Sequence, residues 1–179
     1  MFPELETERL RLRMFEQSDF EAYAAMQADV DVMEFLGDGV PRDRDDAWKH
    51  LATLLGHWHL RGYGFWAVEE KATSELIGRV GHWNPEGWPD FEVGWILRKE
   101  SWGKGYATEA GGVALDYAFE QMGRDKVSSV IRVGNERSVN VATKLGETLD
   151  REETVMGQQC WIYAITRDVW EARRSQSAK

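Results

Sequence analysis

Cysteine is nearly absent. Cys160 is the only one in 179 residues, so neither an internal disulfide nor a CxxC metal or redox pair can form. An oxidising compartment is not indicated, and a cytoplasmic protein is expected. The longest strictly apolar stretch, Cys160 to Ile165, falls far short of the ~18 residues that cross a bilayer. Residues 1–13 alternate charges with leucines where a secretory signal would carry an unbroken apolar segment. Positive charge is in deficit too. The net charge of −9 removes the basic footprint that phosphate-backbone binding demands, and it favours a cationic small molecule or a basic protein presenting an amine.

Hydrophobic residues make up 42% of the chain and charged residues 30%, which suits one packed core and leaves too little length for two. No repeat or linker interrupts it, so a single domain over residues 1–170 is expected, with a polar tail over 171–179. Leu10, Leu12 and Met14 alternate with Arg11 and Arg13, predicting a first strand over 5–14. A helix starts at Ser18, and a shorter helical turn runs from Asp29 to Leu36. Pro41 opens a longer helix to about Leu60, in which Trp48, Leu51, Leu55 and Trp58 recur at helical spacing; Leu55 and Trp58 are expected in the core. Strands over 63–69, 76–83 and 91–97 read as an antiparallel meander. A helix over 105–122, a strand over 126–133, a helix over 135–145 closed by Gly146, and strands near 148–154 and 159–166 complete a mixed α+β order.

The segment from Phe91 to Ala110 carries the chemistry: a strand, a short break, then Gly103, Lys104, Gly105, Tyr106, Ala107 and Thr108 opening a helix. Two glycines let backbone approach a ligand closely, and the first helical turn offers unpaired N–H groups at the positive end of a dipole. A phosphate or diphosphate fits there. The dinucleotide fingerprint fails, because Thr108 stands where it needs a third small residue and hairpins replace the parallel βαβ setting. No Walker A run occurs anywhere.

In this order and spacing, Trp102 to Ala107 resembles the pyrophosphate loop of the GNAT acyltransferases, and the chain from Leu5 to about Trp170 resembles their RimJ/RimL branch. The opening Leu5, Glu6, Thr7, Glu8, Arg9, Leu10 carries that likeness, as do Glu92 to Trp95, the run Thr108 to Ala110, Asn135 with Ser138, and Lys144 to Gly146. The resemblance implies a twisted, mostly antiparallel mixed sheet of seven strands flanked by about four helices, splayed between its fourth and fifth strands, with a coenzyme A thioester in the cleft. It further implies an N-acetyltransferase that uses acetyl-coenzyme A and no metal, and that acts by direct attack in a ternary complex. The first acceptor class is a protein amino terminus. A small amine such as an antibiotic, polyamine or amino acid remains open, as does a coenzyme-binding module without catalysis; the chain would be a monomer or homodimer.

On this likeness the amides around Trp95, Ile96 and Leu97 hold the pantetheine arm and polarise the thioester oxygen, exposed by a bulge that Gly94 marks. Trp102 stands where many relatives have Arg or Gln, leaving Lys104 as the charged side chain beside the loop's backbone contacts. Glu92 is the first candidate for the base that frees the amine of its proton, with His82 as an alternative. The tyrosine that protonates the departing thiolate in many relatives corresponds to Ala142, so Ser138 takes its place as candidate. Asn135 reads as a helix cap, with coenzyme contact as a second role. Trp83 and Trp88 are candidates for the acceptor cleft. His57 and His59 lack the partners for a metal set.

Overall fold

In the computed structural model, which describes residues 2–177, the strand Phe65–Glu70 shows why the sheet must be covered twice. Phe65, Trp66, Ala67 and Val68 are all buried, and successive strand side chains point to opposite faces. Phe65 and Ala67 join one core with Phe20, Tyr23, Leu51 and Leu54. Trp66 and Val68 join the other with Leu10, Leu12, Ala110, Ala114 and Ala118. Helices α1 (Phe20–Ala28) and α3 (Arg44–Arg61) therefore pack on the first face and α4 (Tyr106–Glu120) on the second.

The described residues form a sheet of eight strands: β1 (Leu5–Glu6), β2 (Leu10–Arg13), β3 (Phe65–Glu70), β4 (Glu75–Trp83), β5 (Glu92–Leu97), β6 (Lys126–Arg132), β7 (Thr148–Val155) and β8 (Gln158–Thr166). They lie in the order β1-β2-β3-β4-β5-β6-β8-β7. Every neighbouring pair is antiparallel except β5 and β6. That parallel pair meets only at Glu92 and Ser128. Beyond this point the strands part, and the cleft opens between them.

Several expectations need correction. The predicted first strand is a hairpin, because Thr7 N–H bonds Leu10 O at 2.9 Å and folds β1 back on β2, which makes eight strands instead of seven. Among the described residues the α-helices number six, since α2 (Val30–Met33) and α6 (Arg167–Ser177) join α1, α3, α4 and α5 (Glu136–Leu145). Residues 171–177 thus continue a helix whose Trp170 stacks on Phe119 at 5.0 Å. On α3 the buried stripe is Ala47, Leu51, Leu54 and Trp58, while Trp48 and Leu55 are exposed. Both sets have helical spacing and share Leu51 and Trp58, so periodicity alone could not choose between them. Finally, β5 pairs with β4 from Glu92 to Leu97 without a register shift, so no bulge sits at Gly94.

Candidate active site

What exposes the β5 amides is the parting of the strands. Arg98 N–H bonds Ile77 O on β4 at 2.9 Å, and main-chain groups alternate along a strand, so those of Trp95 and Leu97 turn toward the gap. Leu97 O is already held there by the Trp102 indole at 2.8 Å. Trp102 therefore ties the loop to the end of β5, and Arg137 lies 4.2 Å over its ring.

The loop itself leaves a run of main-chain amides free. Gly103 and Gly105 adopt φ of +74° and +83°, a region that residues with a Cβ rarely occupy. Gly105 caps α4 with no side-chain hydrogen bond, and Glu109 N–H is the first in the helix to find an acceptor, Gly105 O at 3.0 Å. Among the described residues nothing accepts from the amides of Gly103 to Thr108. An apolar-walled cavity of about 310 Å³ opens above them. Trp95, Ile96, Leu97, Trp102, Gly103, Gly105, Tyr106, Ala107, Thr108, Asn135 and Ser138, all picked from sequence, line it. Lys104 does not. Its carbonyl accepts from Arg9 Nη1 at 3.0 Å, and Arg9 also pairs with Glu109, whose Oε1 takes the Thr7 hydroxyl at 2.5 Å. The opening motif thus braces the loop from behind.

Asn135 caps α5, its Oδ1 accepting from Ser138 N–H at 3.2 Å. Sequence reasoning missed Arg137, Asn140 and Val141, which share the cavity wall with Lys144. Their spacing of three, four and seven residues along α5 was a readable signal.

A second cavity of about 80 Å³ adjoins the first along Trp95, Ile96, Asn135 and Ser138. Glu92 faces it, and its Oε2 accepts from the Trp88 indole at 2.6 Å. Burial, opposed by the Trp88 bond and by Arg79, pushes the Glu92 carboxyl up to about 8. Gly94 leaves this space open: a Cβ there would sit 3.1 Å from Glu92 Oε1 and 3.2 Å from the Phe65 ring.

Other expected residues fall outside. His82 is fully buried between Phe91 and Tyr117, stacked on both and neutral from burial, on neither cavity wall. Trp83 stacks on His57 at 4.3 Å and also lines neither cavity. Trp88 reaches the site only through its bond to Glu92.

A splayed mixed sheet, an unpaired amide loop at a helix start and a buried carboxyl where the gap closes form one pattern, and residues 9–148 match the family model described as Acetyltransferase (GNAT) domain. The chain belongs to the GNAT acetyltransferase family. The uncharacterized protein YkkB of Bacillus subtilis (strain 168) is 32% identical over 150 residues, covering 79% of this chain and 83% of that one. A solved acetyltransferase from Agrobacterium tumefaciens str. C58 is 31% identical with a TM-score of 0.82, covering 93% of this chain and 96% of the other. RimL, the ribosomal L7/L12 alpha-N-protein acetyltransferase solved in complex with coenzyme A, shares the fold at 17% identity and a TM-score of 0.77, over 93% and 99% of the two chains. GNAT membership fits the donor set described above: backbone amides where a diphosphate would lie, and strand amides beside the gap. None of the described helices is long and apolar enough to cross a membrane.

Proposed function

We propose that this acetyltransferase moves the acetyl group of acetyl-coenzyme A onto an α-amino group, with RimJ/RimL-type modification of a peptide amino terminus as the leading acceptor class. The observation that carries the coenzyme half is the run of unpartnered amides from Gly103 to Thr108 at the rim of the larger cavity. Those amides bind the diphosphate, and the Trp95 and Leu97 N–H groups orient the arm and polarise the thioester oxygen.

Glu92 supports the acceptor half. An ammonium must lose a proton before its nitrogen can attack the carbonyl, after which the carbon–sulfur bond breaks and the sulfur leaves. With its carboxyl near 8, Glu92 is matched to an α-amine, whose ordinary value lies at about 7.7–8.0. A lysine side chain, near 10.4, would ask roughly 3.4 kcal/mol more. Ser138 lines both cavities and its hydroxyl can return a proton to the departing sulfur. Coenzyme A release measured with a panel of peptides and small amines tests this reading. Turnover is expected with α-amines; tight coenzyme binding without turnover on any acceptor would instead identify a binding module.

A further inference from the structure

Arg79 on β4 is 8% exposed and lines the smaller cavity, yet its Nε and Nη1 have no hydrogen-bond partner. One face of its guanidinium lies 3.9 Å from the Phe65 ring centroid, and the nearby Tyr23 hydroxyl is engaged with His50 Nδ1 at 2.6 Å. No described carboxylate pairs with it. The second arginine nearby, Arg42, repels it, and Arg42 is itself turned to Gln27 Oε1 at 2.6 Å.

A guanidinium cannot shed its proton in a protein, so burial cannot neutralise it as it can a lysine or a carboxyl. A buried cation without an anion is among the least favourable arrangements a fold can keep. Among the described residues Glu92 is the one acidic group on the same cavity wall, and burial, which holds its carboxyl at about 8, leaves only a minor fraction ionised at neutral pH, enough to take a proton from an amine but no fixed counter-charge. Arg79 stands on the wall of the space that Glu92, Gly94 and Ser138 also border. The missing anion must therefore arrive with the molecule that enters.

We propose that Arg79 binds a carboxylate of the acceptor, so that the substrate is an α-amine carrying a carboxylate on the same residue. The chemistry is that of an amino-terminal Asp or Glu in a peptide, or of a free amino acid. Arg79 then holds the anion, while Glu92 receives the proton from the amine beside it. This rests on the acetyltransferase reading above, because it assigns the smaller cavity to the acceptor.

The test uses the full chain with acetyl-coenzyme A and matched acceptor pairs. One arm compares tripeptide amides beginning with Asp or Glu against those beginning with Asn or Gln; the other compares free amino acids with their carboxamides. A site that pairs a buried charge rejects the analogue lacking it strongly, so the acid member of the preferred pair should win by at least about tenfold in kcat/KM. Arg79→Met should bring each pair to within about threefold by lowering the acid member alone. Arg79→Lys should restore part of the preference. Because Met removes an unpaired buried charge, its melting temperature should equal or exceed that of the unchanged protein. Equal rates for acid and amide, or an Arg79→Met variant slowed alike on every acceptor, would overturn the proposal. Melting-temperature shifts with the same acids and amides, in the absence of acetyl-coenzyme A, give a readout independent of chemistry. Acid-selective shifts that vanish in Arg79→Met, without turnover, would keep the anion site and sink the acetyltransferase reading; no acid-selective shift and no acid preference would sink the anion site.

Discussion

Two buried carboxyls, Glu92 and Glu147, are each held near 8 with burial as the chief cause. For Glu147 the geometry says the same. Ser129 Oγ lies 2.8 Å from Val93 O and 3.0 Å from Glu147 Oε1. The carbonyl can only accept, so Ser129 donates its single proton there and the second contact needs the carboxyl's own proton. A carboxyl whose folded value exceeds its ordinary 4.5 contributes stability in full below about 4.5, and that contribution is lost as pH rises toward 8. Stability should thus fall between pH 5 and 8, by at most about 1.4 kcal/mol per pH unit for each group. Urea midpoints at both pH values should converge in Glu147→Gln, which keeps a neutral partner for Ser129; an unchanged slope would assign the charge elsewhere. For Glu92 the consequence is kinetic. kcat/KM should climb with pH through about 8, and Glu92→Gln should lower kcat by about 10²–10⁴ while coenzyme affinity holds, read from paired pH profiles and binding titrations. Glu92 was legible because it leads the cleft strand. Glu147, one residue past the glycine that ends α5, was not, because burial of a lone acid comes from the packing of β6 against its neighbours and leaves no local mark. Arg79 was hidden for a related reason: an arginine in an alternating strand reads as a solvent-facing position.

At the scale of elements, the junction from β5 to α4 was the most readable part of the chain, since its demands are local. Positive φ at Gly103 and Gly105 and the unpaired first turn of α4 follow from a few consecutive residues. What the residues did not disclose is the brace behind them. Thr7, Arg9 and Glu109 meet across about a hundred positions of sequence. The motif's presence was readable and its bracing role was not. The expected bulge at Gly94 failed for a similar reason, because a strand glycine signals either a bulge or a close approach, and here the approach is that of Glu92 and Phe65. Gly105→Asp tests the loop directly. Aspartate tolerates positive φ better than most residues, so the fold should persist with a loss of about 1 kcal/mol or less. Its carboxylate, set among amides that would bind a diphosphate, should cut coenzyme A affinity by more than tenfold in a titration. Unchanged affinity would place the diphosphate elsewhere.

Seen whole, the molecule is two part-sheets, β1 to β5 and β6 to β8, joined at one residue pair and parted beyond it. Strand order and the splay were legible only through the family resemblance; alternation along each strand gave the pieces without saying which neighbours separate. The segment around α2 spans the gap. Glu34 O accepts from Arg132 at 3.2 Å, Glu34 pairs with Arg137 at 3.3 Å, and Asp31 pairs with Lys99 on the far side. Few bonds therefore hold the cleft, and all of these are exposed ion pairs or contacts worth little singly. A ligand that touches both part-sheets should supply much of the missing connection. Coenzyme A at 100 times its dissociation constant stabilises the folded state by about 2.7 kcal/mol, or roughly 5–10 °C in melting temperature for a chain of this size. Amide exchange should slow at Trp95 and Leu97, in the loop from Gly103 to Thr108, and at Asn135 across the gap. Protection confined to the loop, with Asn135 and Trp95 unchanged, would mean that the coenzyme sits on one part-sheet and that the splay serves the acceptor alone.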